Sequence, residues 1–92
     1  MKPYKDIEVN NKYVIREFSE NIDPIELMWH RDDEDRIVEV LEAGKDWKFQ
    51  YDNELPQNLE PKMIINILRH DWHRVHKGEG KLLLKIWKEQ NF

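Results

Sequence analysis

The sequence predicts one small, mainly-β domain. The chain has 92 residues, enough for one hydrophobic core of modest size. Its apolar residues fall in short runs rich in β-branched and aromatic side chains, some with strict alternation. Turn-forming segments separate these runs at intervals suited to a sandwich or barrel of about seven or eight short strands.

Residues 12–18 read as a strand through Tyr13, Val14, Ile15 and Phe18. Residues 25–30 alternate, with Ile25, Leu27 and Trp29 on one face. Asp23-Pro24 before them also suits a helix start, with Asp23 as N-cap and Pro24 in the first turn. A helix continuing through Asp32-Asp33-Glu34-Asp35 would interrupt its apolar face with acids, so strand, acidic turn and strand is the expected order. Residues 36–42 are rich in Ile and Val. In residues 47–51, Trp47, Phe49 and Tyr51 alternate with Lys48 and Gln50, the clearest strand pattern in the chain. Pro61 followed by Met63, Ile64, Ile67 and Leu68 fits a helical stripe, but the β-branched run around Asn66 tilts residues 63–68 to strand. Residues 72–76 and 82–87 supply the last strands. Gly44 in residues 42–46, and Gly78 and Gly80 in residues 77–81, read as hairpin turns.

Composition excludes several chemistries. There is no cysteine, hence no disulfide, thiolate metal site or thiol nucleophile. Ser19 is the only serine and threonine is absent; no histidine lies near Ser19 in sequence to activate it. Residues 77–81 lack the spacing of a phosphate loop. The net charge of −4 disfavours general nucleic-acid binding, and the basic run Arg69–Lys77 reads as a solvated strand face. The N-terminus has no apolar stretch behind its lysines and does not read as a signal peptide. No apolar run approaches a membrane span. A cytoplasmic protein is the expectation.

His30 and Asp32 stand two apart, so on an extended segment they share a face. His73, in a later strand-like run, is the candidate third member. Two histidines and a carboxylate with open positions suit Fe(II) or a similar divalent ion, and imidazole binds it in the neutral form. The alternative is structural: residues 32–35 form a solvated turn and His73 is a hydrogen-bonded, partly buried side chain. Trp29 and Trp72 each precede a histidine of the trio and should point to the opposite face. Trp47 and Phe49 read as core and barrel wall, and as wall residues they are the aromatic candidates for ligand contact.

The stretch from Trp29-His30-Arg31-Asp32 through Ile37-Val38-Glu39-Val40-Leu41-Glu42-Ala43-Gly44 resembles the first cupin motif: two histidines two apart, a glutamate, then an apolar strand ending in a turn. Leu59-Glu60-Pro61-Lys62-Met63-Ile64-Ile65-Asn66-Ile67-Leu68, with Trp72-His73-Arg74-Val75 after it, resembles the second motif, which ends on the last metal-ligating histidine. The resemblance covers residues 25–87 and is similar to small single-domain cupins of uncharacterised phage and bacterial proteins. It implies one domain over 1–92, an all-β double-stranded β-helix barrel, with His30, Asp32 and His73 as ligands to Fe, Mn, Ni or Zn.

The departures are specific. Asp32 replaces the second histidine of the first motif and can still ligate. Arg36 stands at the glutamate position and cannot, having no lone pair to give; its fork suits Asp32, Asp35 or an anionic ligand instead. Lys62 stands where glycine is usual and Leu68 where proline is common. The resemblance therefore implies a metal site that binds or acts on a small anionic ligand. The alternatives are a metal-free small-ligand pocket and an interaction module working through exposed strands. Exposed edges and tryptophans point to a homodimer.

Overall fold

A computed structural model describes residues 3–88; residues 1–2 and 89–92, including Phe92 and the start of the N-terminal segment read above, lie outside the described residues. Among the described residues the strands are β1 (Lys5–Val9), β2 (Tyr13–Phe18), β3 (Arg36–Lys45), β4 (Lys48–Tyr51), β5 (Gln57–Asn58), β6 (Ile64–Ile67), β7 (His73–His76) and β8 (Glu79–Trp87). They form a five-stranded sheet in the order β1-β2-β8-β3-β6 and a three-stranded sheet in the order β5-β4-β7. Every pairing is antiparallel. The all-β architecture is the expected one.

Alternation explains which residues enter the core. Leu82, Leu84 and Ile86 are buried on β8, while Leu83, Lys85 and Trp87 turn away. On β6, Ile65 and Ile67 are buried and Ile64 is exposed, the period-two pattern of a strand and not of the competing helical stripe. On β3 the buried set is Val38 and Val40 and then Ala43. The phase slips because the β3–β8 register shifts between Val40 and Glu42, a bulge that re-aims every later side chain. Trp47 and Phe49 of the smaller sheet join these residues, Phe18 and Leu59 in one apolar cluster.

Several expectations need correction. Residues 25–30 are not a strand: Pro24–Glu26 form a 3-10 turn, with Asp23 as N-cap accepting from the Ile25 N–H. The Asp23-Pro24 start signal wins because, among the described residues, this segment has no neighbouring strand to complete a ladder; His30 alone forms an isolated bridge, with His73. β1 was not foreseen, because no side chain along it is buried and backbone pairing with β2 holds it instead. The two-residue β5 is too short to leave a pattern.

The glycine segments are not hairpins within one sheet. β3 runs through Gly44 and β8 through Gly80, and the chain changes sheets between β3 and β4 and again between β7 and β8. Gly44 has φ +39°, and a Cβ there would overlap the Glu79 carbonyl oxygen, so the close approach of β3 to β8 requires glycine. Among the described residues, no helix is long and apolar enough to cross a membrane.

Candidate metal and anion site

His30, Asp32 and His73 converge at one end of the core. His30 and His73 exchange backbone hydrogen bonds, His30 N–H to His73 O at 3.0 Å and His73 N–H to His30 O at 2.9 Å. Residues paired in this way project to the same side, and the two imidazole centroids lie 4.2 Å apart. Asp32, two residues on, keeps that face, and its carbonyl accepts from the His70 N–H at 2.8 Å. One ligand atom from each of the three residues can be chosen so that all lie within 4.8 Å of one another. His73 is 3% exposed, Asp32 is half-buried and His30 stands at the mouth.

The hydrogen bonds of the rings decide where their lone pairs are. His30 Nδ1 is 3.2 Å from the Met28 carbonyl oxygen, and His73 Nδ1 is 2.8 Å from that of Asp71. A carbonyl only accepts, so both rings donate from Nδ1, and the neutral form of each carries its lone pair on Nε2. This is how metal-binding imidazoles are commonly oriented, by a partner on the other nitrogen. For His73 the consequence is acute. Its Nε2 lies 3.3 Å from Asp32 Oδ2, which sets two acceptors against each other at a position with little water. A cation between them, proton or metal ion, removes the conflict.

The surroundings bias the charge states. Burial pushes the Asp32 carboxyl up most strongly as a single influence, but the His73 hydrogen bond and the charges of Arg36, His73 and His30 together hold it below the usual carboxylate value. The imidazole of His30 is held below its ordinary value, first by loss of solvation. The His73 and Arg36 charges act in the same direction, against the Met28 carbonyl and Asp32. Although His30 keeps solvent access, one side of its ring packs on His73, and that side carries the effect. Both shifts favour the forms that ligate a cation: carboxylate and neutral imidazole.

Arg36, the departure from the motif, does enter the cavity. Its Nη1 lies 3.5 Å from Asp32 Oδ1 and its Nε 3.8 Å from Glu34 Oε1. The Nε is buried without a hydrogen-bond partner. Asp35, the other acid weighed for Arg36, instead meets Arg69, accepting from its backbone N–H at 2.8 Å.

The cavity itself is small, about 60 Å³, with walls from Phe18, Val38, Phe49, Ile67, Leu84 and Ile86. Phe49 takes the expected wall position, its ring 5.8 Å from that of His73. Trp47 does not: it is 0% exposed, donates its indole N–H to the Gly80 carbonyl at 3.2 Å, and is absent from the wall. Its ring is large enough to fill the centre of the core, and that is where alternation from Phe49 places it on the strand leading into β4. Trp29 and Trp72 point away from the cavity and stack with Arg74 and Arg31, at 4.4 and 5.2 Å from ring centroid to guanidinium carbon.

Arg16 was missed. It lines the cavity from β2. A signal existed: Val14, Arg16 and Phe18 share one strand face, and an arginine between two apolar residues on one face is turned toward an apolar interior.

No family model matches the chain, and no curated protein matches it. Solved structures do. A cupin domain from Bordetella pertussis Tohama I superposes with TM-score 0.62 at 13% identity, over 99% of this chain and 98% of that one. KdgF from Halomonas sp. gives 0.66 at 15% identity, over 96% and 80%. Fe(II) HppE in complex with substrate gives 0.65 at 16% identity, over 94% of this chain and 52% of that one. At these identities the likeness concerns the fold, and it agrees with the antiparallel strands described above: the chain folds as a small cupin-type domain.

Proposed function

We propose that this domain holds a divalent metal ion at His30, Asp32 and His73 and receives a small anionic ligand in the adjoining cavity, where Arg36 meets it. The observation that carries the reading is the 3.3 Å approach of His73 Nε2 to Asp32 Oδ2, with both imidazoles committed through Nδ1 to backbone carbonyls. That arrangement presents two basic atoms to one shared cation. Two imidazoles and one carboxylate suit Fe(II), with Mn(II), Ni(II) and Zn(II) as competitors. The Fe(II) content of HppE, which shares the fold, supports iron among these. When bound, the ion would supply a Lewis-acid centre with open positions. The chain's own residues do the rest: Arg36 orients an anionic group, and Phe49 and the aliphatic wall keep bulk water from the inner face.

The test is metal content after purification, followed by melting of the protein with each ion. A specific ion at a hundredfold excess over its Kd stabilises the fold by about 2.7 kcal/mol, and His30→Ala and His73→Ala remove that gain. No response to any of the four ions sinks the reading. A metal-free ligand pocket is the second reading, favoured by the Arg36 guanidinium beside Asp32 with its Nε unpartnered. It predicts that small acids stabilise the chelator-treated protein while the metals do nothing.

A further inference from the structure

Arg16 occupies an unusual position. Its strand β2 lies against β8, with Arg16 in register with the core residue Leu84. Its neighbours on the same strand face are Val14 and the buried Phe18, so an aliphatic side chain would be the ordinary occupant. Its side chain is 17% exposed. Placing a charge there is costly unless it is paired and hydrogen-bonded.

Part of the cost is met by Asp6 on β1, directly across the ladder. Arg16 donates to it from Nε at 2.8 Å and from Nη2 at 3.3 Å. The ring of Tyr4 supports the guanidinium face, 3.7 Å from its central carbon. Asp6 and Tyr4 thus hold the fork rigidly, and Nη1 has no protein partner among the described residues. The guanidinium lines the inner cavity and also the groove outside it.

That groove holds about 340 Å³, with Tyr4, Arg16, Glu26, His30, Asp32 and Arg36 in its wall, a size at the lower end for small-molecule sites. It therefore joins the trio to two guanidiniums. Arg16 comes from β2 and Arg36 from β3, the strands on either side of β8. Among the described residues Nη1 of Arg16 has no protein partner, and Arg36, held beside Asp32 through its own Nη1 at 3.5 Å, also lines the groove. Glu26 and Asp32 in the same wall repel multiply charged species such as nucleotides. A ligand with a single anionic head and an otherwise neutral body fits the balance.

We propose that this groove is a subsite for the carboxylate or phosphate head of a small ligand, with Arg16 as the anchor and Arg36 as the second clamp, and the rest of the ligand directed over His30 toward the trio. The assignment rests on reading the cavity as a ligand site, but it does not need the metal. Asp6 and Tyr4 are positioning residues, acting through Arg16.

The test uses the full chain, stripped of metal with a chelator, and titrated by calorimetry with acetate, lactate, inorganic phosphate and methylphosphonate against a sodium chloride control. The expected result is binding of one head-group class above the chloride control, at least about tenfold weaker in Arg16→Lys and Arg36→Met, since a charge-assisted hydrogen bond is worth about that factor. Arg16→Lys keeps the charge and loses the fork. Asp6→Asn tests the positioning role: its amide oxygen still accepts one hydrogen bond but no longer pairs the charge, so the fork loosens and anion affinity falls, by less than in Arg16→Lys; unchanged affinity in a folded Asp6→Asn protein overturns that role. Carboxylate-only and phosphate-only responses identify the source of the head group. Equal affinity in wild type and Arg16→Lys, or no binding by any probe with and without metal, overturns the proposal. A metal response without an anion response therefore leaves the metal reading standing and removes this one, and the reverse result does the opposite.

Discussion

Replacing Arg36 by methionine should tighten metal binding while weakening anion binding, two effects of opposite sign from one substitution. The guanidinium Nη1 is 3.5 Å from Asp32 Oδ1, so a cation recruited to Asp32 shares that carboxylate with a competitor. Two unit charges about 4 Å apart interact by about 1 kcal/mol in water and about 4 kcal/mol at an effective dielectric of 20. Arg36 is 26% exposed and Asp32 12%, so solvent screening brings the competition towards the lower half of that range, about 1–2 kcal/mol. That corresponds to roughly a tenfold change in Kd. The fold should tolerate the change. Methionine keeps most of the aliphatic stem, β3 retains its pairing with Ile67, and the substitution removes a buried Nε that has no partner. Calorimetric titration of wild type and Arg36→Met with Fe(II) under anaerobic conditions, and with Zn(II) and Mn(II), reads the effect, with circular dichroism melting as the control for folding. A folded Arg36→Met protein whose metal affinity is unchanged or weaker refutes the reasoning: Arg36 would then not be competing for Asp32.

The remaining predictions are quicker to state. Asp32→Asn keeps the shape of the trio and removes its charge, so any metal-induced rise in melting temperature should fall by more than half. A full response in that variant would place the ion elsewhere. His30 and His76 are both held below their ordinary value of 6.5, His76 by burial and then by Arg74 and Lys48. The unfolded chain therefore takes up protons first as pH falls, and stability is full above about 6.5 and declines below it. Asp32, held below 3.8, adds a further loss as pH drops through its lowered value. Metal-free protein should melt at a lower temperature at pH 5 than at pH 7.5, and an NMR titration placing His30 or His76 above 6.5 would falsify the sign. Lys62 has φ +76°, a left-handed conformation that costs an L-residue about 1–2 kcal/mol. Lys62→Gly should therefore stabilise the domain by about 0.5–1 kcal/mol after the entropy of the unfolded glycine is counted, and a lower denaturation midpoint would contradict this. Trp47→Ala should cost about 3–5 kcal/mol, because the ring is fully buried; survival of the fold with a near-native midpoint would show that the core is not centred there.

The sequence by itself determined the fold class, most of the strands and the shared face of His30 and Asp32, with His73 as the candidate third member. Strict alternation in Phe49 and Tyr51, and the β-branched Ile64, Ile65 and Ile67, survive into the structure because burial of one face of a sheet enforces period two. His30 and Asp32 were legible because their spacing alone puts them on one side of an extended segment. Strands without a buried face were invisible: β1 is held by its ladder and by Asp6 with Arg16, and neither leaves a hydrophobic period. The segment before His30 was misread because an extended alternation and a capped turn share the same residues there, and only the absence of a neighbouring strand decides between them.

Tertiary structure alone decided how the trio and the two arginines are arranged. The pairing of His30 with His73 brings together residues far apart in the chain, and it sets the Nε2 of His73 against Asp32. The bulge in β3 determined which side chains of that strand stay in phase with the core. Arg36 proved to enter the cavity, and Arg16 proved to be its companion, because both stand on inward faces of strands that flank β8. Spacing along a chain can place two groups on one face, but a charge buried among apolar neighbours acquires its role from the groups across the barrel.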